Sequence, residues 1–217
     1  SYGLIVEPSF KLSFMPLIDL GLVLIIAHIR GGQDLGKSWY DQGKMLNKMN
    51  TFTDFIDCTK ALLKLNIGSK KNIFAMGGSA GGLLMGVIMN LEPTLYRGIV
   101  SAVPFVDVLT TMSDESIPLT TFEYDEWGNP AKRKEYLYMK KYSPYDNIDF
   151  KPYPAVLVTS SLFDSQVQYF EPAKYVPKLR EHTTSENPVL LKMNMIGGHA
   201  GKSGRLESLK ETAEELG

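Results

Sequence analysis

Apolar positions along this chain follow two periods. Short, nearly continuous runs rich in branched and aromatic residues occupy positions 2–6, 22–28, 72–76, 98–102, 155–160 and 189–193. Each has the length of a strand buried on both faces. Between them, apolar residues recur every three to four positions over 52–65, 80–91, 173–180 and 205–216, the period of amphipathic helices. Strand and helix alternate, which predicts an α/β fold: a mostly parallel sheet with helices on both faces. The segment 107–153 breaks the alternation. It holds no strand-like run but several prolines, aromatics and acids, and is expected to be an excursion above the sheet, where specificity commonly resides. No internal repeat, low-complexity tract or linker divides the chain, so residues 1–217 are read as one domain.

Apolar residues make up 44% of the 217, enough for one sizeable core. Lys and Arg number 23 against 24 Asp and Glu, a net charge of −1. Nothing in that balance calls for nucleic acid or an anionic membrane as a partner. The most apolar stretch, 20–29, falls well short of the roughly 20 residues that span a bilayer and reads as a buried strand. The single cysteine, Cys58, excludes an internal disulfide and fits a reducing, cytoplasmic setting. On the predicted helix 52–65 it is expected to be a buried small side chain. Histidines at 28, 182 and 199 are too dispersed for a zinc site, and no metal or other cofactor is expected. No basic and apolar leader opens the sequence, and its start in mid-pattern without Met places the expected native N-terminus upstream.

The stretch FAMGGSAGGLLMG (74–86) joins a predicted strand to a predicted helix through Gly77-Gly78-Ser79-Ala80-Gly81. It satisfies G-x-S-x-G in the context which that motif requires. A nucleophile on a sharp strand-to-helix turn needs unusual backbone angles and small neighbours, so that strand and helix pack closely while Oγ projects. The helix start adds unpaired N–H groups, above all that of Ala80, where an oxyanion would form. Serine alone is a weak nucleophile. It needs a base and an orienting acid, which in this fold follow in the order Ser, Asp or Glu, His. Asp164 comes just after the run 155–160, and His199 follows the run 189–193 with glycines on both sides. His28 ends a predicted buried strand and His182 sits in a polar turn, so Ser79, Asp164 and His199 are the expected triad.

Other chemistries compete with this reading. Residues 31–38, GGQDLGKS, formally satisfy G-x-x-x-x-G-K-[ST], but the following SWYDQGKM is a poor first helical turn and no convincing acid offers itself for Mg²⁺, so a P-loop is not expected. A carboxylesterase of the same fold and a non-catalytic hydrolase-like binding domain are the remaining alternatives, because a triad does not by itself distinguish ester from amide.

Four stretches, HIRGGQDLGKSWYDQGKMLNKMNTFTDFIDC, GGSAGGLLMGVIMN, FDSQVQYFEPAKYVPKLR and GGHAGKSGR, cover nearly the whole chain. Together they resemble the oligopeptidase B branch of the prolyl oligopeptidase family of serine peptidases. The resemblance implies an α/β-hydrolase fold, a triad of Ser79, Asp164 and His199, and cleavage of short peptides after Arg or Lys. It maps two cation-binding carboxylates onto Glu123 and Asp125 of TTFEYDEWGNP, where charge-assisted contacts would hold a guanidinium. The residues alone would make Glu123, Asp125 and Glu126 a solvated acidic surface. A second acidic pair, for the next substrate residue inward, falls on Glu7 and Ser9; with a hydroxyl at one position, dibasic preference is expected to be weak. Tyr2 is expected to border the substrate pocket, and Arg205 is a candidate substrate contact. The resemblance also implies a seven-bladed β-propeller N-terminal to this region and a tyrosine oxyanion donor two residues ahead of Ser1. The chain by itself is therefore expected to be weakly active or inactive.

Overall fold

The computed structural model describes residues 1–10, 12–201 and 204–216, without the Arg205 side chain. In chain order, α1 (Met15–Asp19) and α2 (Lys37–Asp41) are short pieces, α3 (Met49–Lys64) precedes β1 (Phe74–Gly78), and α4 (Ala80–Leu91) precedes β2 (Gly98–Ala102). The excursion holds α5 (Val108–Ser113), α6 (Tyr124–Trp127) and α7 (Arg133–Lys140). β3 (Ala155–Ser161) leads to α8 (Phe170–His182), and β4 (Val189–Asn194) to α9 (Arg205–Leu216).

The strands form one sheet in the order β1-β2-β3-β4, parallel throughout. Register aligns Gly78 with Ala102 and Thr159, and Ser161 with Asn194. All C-terminal strand ends therefore open on one edge, the edge where sheets of this kind bind ligands. Ser79, Asp164 and His199 follow β1, β3 and β4 on that edge.

α4 is apolar on every side and buried from Gly82 to Asn90, as a helix inside a layered core must be. It packs on β1 and β2 and against α3, while α8 packs on β3 and β4. α3 turns Phe52, Ile56 and Thr59 inward, the i, i+4, i+7 row of an amphipathic helix. That phase overturns the expectation for Cys58. Two residues beyond Ile56 it lies about 200° around the helix and is exposed.

The runs at 2–6 and 22–28 are not strands but irregular chain. Leu22, Val23, Leu24, Ile25 and Ile26 are all exposed. An apolar run becomes a strand only by pairing its backbone donors and acceptors, and among the described residues β1 pairs with β2 alone. His28 is correspondingly exposed, its Nε2 2.9 Å from the Val6 carbonyl. The excursion does lack strands, and α8 starts at Phe170, earlier than its apolar period suggests. Among the described residues no helix is long and apolar enough to cross a membrane.

Close packing of α4 rests on a missing side chain. A Cβ at Gly82 would collide with Pro104, whereas one at Gly81 would meet nothing within 4 Å. Gly82→Ala is therefore expected to destabilise the fold by about 1–3 kcal/mol. Gly81→Ala should be neutral or gain up to ~1 kcal/mol from helix propensity. Urea unfolding of the two variants checks the contrast.

Candidate active site

Ser79 stands between β1 and α4 with φ 54° and ψ −117°. A non-glycine residue holds such a positive φ only under constraint, at a cost of about 1–3 kcal/mol. The constraint is visible. Ser79 N–H donates to the Ala102 carbonyl at 2.9 Å, and the Ser79 carbonyl accepts from the N–H groups of Gly82, Leu83 and Phe105 at 2.8, 3.1 and 3.2 Å. Gly77 lets the helix return over the strand, since a Cβ there would run into the Gly81 carbonyl. The turn opens on a cavity of about 170 Å³ lined by Tyr2, Ser79, Ala80, Glu123, Gln166 and Val167, with Phe105, Met112 and Leu119 along its wall. Ala80 is the first residue of α4, so its N–H has no helical carbonyl to bond.

Asp164, almost fully buried, lies in the loop after β3. Its Oδ1 accepts the N–H groups of Gln166 and Val167, both at 2.9 Å. His199 Nδ1 lies 2.8 Å from Oδ2 and 3.0 Å from Oδ1. An ionised carboxylate only accepts, so Nδ1 carries the proton and Nε2 is left as the basic nitrogen. Burial pushes the Asp164 carboxyl up, but the imidazole and the two backbone N–H groups outweigh it and hold the group below its ordinary value. His199 sits in a tight turn after β4, closed by Gly201 N–H to the Gly198 carbonyl at 3.0 Å, with Gly201 at φ 80°. Asn194 braces that loop: its Oδ1 accepts the N–H groups of Ile196 and Gly197, and its Nδ2 donates to Glu211 of α9.

The Asp164–His199 pair is thus joined, and Gln166 and Val167, which bond Asp164, belong to the wall of the Ser79 cavity. Among the described contacts no hydrogen bond joins Ser79 Oγ to the His199 ring.

Glu123 bounds the cavity. Its Oε2 accepts the Trp127 indole N–H at 2.6 Å and the Tyr2 hydroxyl at 3.1 Å. Tyr2 lies edge-on to Trp127, ring centroids 5.6 Å apart at 85°. Desolvation first, and the Glu123 carboxylate second, hold the Tyr2 phenol well above its ordinary value, so it stays a donor. Of the two acids expected to share a cation, Glu123 alone lines the cavity, while Asp125 is exposed and off that lining. On one turn of helix, residues two apart point to nearly opposite sides. Glu126, a candidate surface acid from the residues alone, is buried. Glu7 is exposed and off this lining as well, and the Arg205 side chain lies outside the described residues.

Glu171 was not singled out by sequence reasoning. Fully buried in the first turn of α8, it accepts the N–H groups of Val106 and Asp107, each at 2.8 Å, and the Thr111 hydroxyl at 2.6 Å. It therefore ties the helix after Asp164 to the cavity wall at Phe105, Thr111 and Met112. Asp107 beside it pairs with Lys174. The sequence signal was slight: an acid at the start of a helix, a common capping pattern.

The P-loop-like stretch has no such role. Lys37 bonds Asp41 at 2.7 Å within α2, a helix of five residues. Among the described residues no group of three or more His, Cys, Asp or Glu is placed to hold a metal ion.

Residues 8–217 match the Prolyl oligopeptidase family. Dipeptidyl aminopeptidase BI of Pseudoxanthomonas mexicana is 55% identical over 99% of this chain and 30% of its own length. Protease 2 of Moraxella lacunata is 52% identical over 99% of this chain and 31% of its own length. Among solved structures, oligopeptidase B from Leishmania major superposes with a TM-score of 0.98 at 46% identity, over 100% of this chain and 30% of its own. Oligopeptidase B from Trypanosoma brucei, in a closed form with covalently bound antipain, gives 0.96 at 45%, over 100% of this chain and 31% of its own. The chain thus spans about a third of the length of these relatives.

The buried Glu171 generates a pH prediction. Burial pushes its carboxyl up, the Thr111 hydroxyl and the Asp107 N–H pull it back, and the net value is about 7 against an ordinary 4.5. A carboxyl raised on folding contributes stability that is complete below the ordinary value and lost as pH rises through the folded one. Relative to Glu171→Gln, the native protein should lose on the order of 2–3 kcal/mol between about pH 4.5 and 8. Denaturant titrations of both proteins across that range measure the difference; parallel curves would contradict the assignment.

Proposed function

The chain belongs to the prolyl oligopeptidase family, and from that premise we propose that it is the catalytic part of a serine endopeptidase hydrolysing short peptides after Arg or Lys through an acyl-enzyme on Ser79. The reading rests on one juxtaposition: an Asp164–His199 pair on the sheet edge where the Ser79 turn opens on a cavity bounded by Glu123.

In this reading, His199 Nε2 takes the Ser79 proton as Oγ attacks the scissile carbonyl carbon. The carbonyl oxygen becomes an oxyanion that accepts the Ala80 N–H, and Asp164 stabilises the imidazolium. Collapse breaks the C–N bond, and the leaving amine takes the proton from Nε2. Water then attacks the acyl-enzyme ester, again giving its proton to His199, and releases the acid product with Ser79 restored. Phe105 and Met112 would flank the aliphatic stem of the residue to be cut after, and Glu123 its cationic end. Covalent antipain on the trypanosomal relative agrees with an adduct-forming serine.

Two finer assignments belong to the same proposal. Glu123 is the principal cation acceptor, without Asp125. With Glu7 exposed and Ser9 uncharged, selection of a second basic residue is weak. An upstream propeller that limits access to short peptides, and a cytoplasmic setting, complete it.

The full-length protein tests this with N-terminally blocked peptides carrying Arg or its uncharged isostere citrulline at the cleavage site. Blocking separates the reading from release of dipeptides at a free amine. Ser79→Ala is expected to lower kcat by about 10⁶-fold. Glu123→Gln should reduce the Arg-over-citrulline ratio in kcat/KM by about 10²-fold. A native ratio near one would overturn the specificity, and Ser79→Ala with full turnover would overturn the mechanism.

A further inference from the structure

Behind Glu123 lies a buried ion pair, neither member of which lines the cavity. Lys48 has no solvent exposure and Glu126 is 4% exposed. Lys48 Nζ donates to Glu126 Oε1 at 3.1 Å and to Ser1 Oγ at 2.7 Å, and stands 4.6 Å from the centroid of the Trp127 ring. Glu126 accepts two further bonds: the Tyr2 N–H on Oε1 at 3.1 Å, and the Tyr40 hydroxyl on Oε2 at 2.8 Å. Desolvation lowers the basicity of Lys48 and Glu126 acts to restore it. A fully buried lysine is costly and persists only where it is paired, as it is here with Glu126.

The consequence falls on Glu123. Glu126 fixes the main chain at Tyr2, and Tyr2 then lies edge-on to Trp127 with its hydroxyl on Glu123 Oε2. Trp127, whose ring sits against the Lys48 charge, donates to the same oxygen. Both donors use Oε2, and no described residue donates to Oε1. One oxygen is thus held by two donors on a residue that lines the cavity.

We propose that Lys48, Glu126 and Tyr40 form a positioning network that aims Glu123, and so sets selection of a cationic substrate side chain without touching the substrate. The inference rests on the reading of Glu123 as the cation acceptor. Neither Lys48, Glu126 nor Tyr40 lines the cavity, so an uncharged substrate has little to lose when the network is removed. A cationic one loses the alignment of its carboxylate.

The test uses the full-length protein and the same Arg and citrulline peptides. Lys48→Met with Glu126→Gln removes both charges together, which avoids the orphaned charge that either single change would bury. Tyr40→Phe removes one hydroxyl and serves as the mild variant. The Arg-over-citrulline ratio should fall about tenfold or more in the double variant and a few-fold in Tyr40→Phe, mainly through KM for the Arg peptide. A purely structural role would lower kcat/KM for both peptides in parallel, and that result, or an unchanged ratio, overturns the proposal. A native ratio near one, or one indifferent to Glu123→Gln, would instead remove the specificity reading beneath it, and is seen before either network variant is made.

Discussion

The site depends on one backbone constraint, the positive φ forced on Ser79 where β1 runs into α4. The turn exists because Gly77, with no Cβ, lets strand and helix cross almost in contact, and because the Ala102 carbonyl and the Phe105 N–H hold both backbone groups of Ser79. A residue held this way cannot relax into the helix behind it. Its side chain projects past the sheet, and the first N–H of α4 is left beside it. The parallel order of β1, β3 and β4 then brings the loops of Asp164 and His199 to the same edge.

Around this turn, buried polar groups act as struts. Asp164 orients His199, Glu171 binds the wall at Val106 and Asp107 to α8, and Glu126 with Lys48 binds the chain at Tyr2 to α6. Each joins segments far apart in sequence, and each satisfies several donors with one carboxylate. Such networks stabilise little beyond what well-packed apolar groups would, but they hold geometry. All three reach a residue that lines the cavity, so its shape is set by hydrogen bonds as much as by packing.

Much of this was legible in the chain and some was not, for identifiable reasons. The runs near 72–76, 98–102, 155–160 and 189–193 are strands because each finds a neighbour; those at 2–6 and 22–28 have the same composition but no paired edge, and composition does not report partners. Ser79 was legible because its glycines have no other reason to cluster between strand and helix. The order of Asp164 and His199 was legible because loops after parallel strands share one edge. The fates of Glu123, Asp125 and Glu126 were not, since they depend on the phase of a 3-10 turn running into a four-residue helix, both too short to leave a period. Lys48 was hidden for a different reason: its partner Glu126 lies 78 residues away, and a lysine in KMLNKMN reads as solvated.

The central claim is that the strained turn presents Ser79 as a nucleophile activated by His199. The most direct measurement is mass-spectrometric mapping of a fluorophosphonate adduct on the full-length protein and on its His199→Ala variant. The account predicts a single adduct, on Ser79, formed rapidly in the native protein and abolished or greatly slowed without the imidazole. An adduct on another serine in a protein that still hydrolyses peptides, or labelling of Ser79 indifferent to His199, would contradict it.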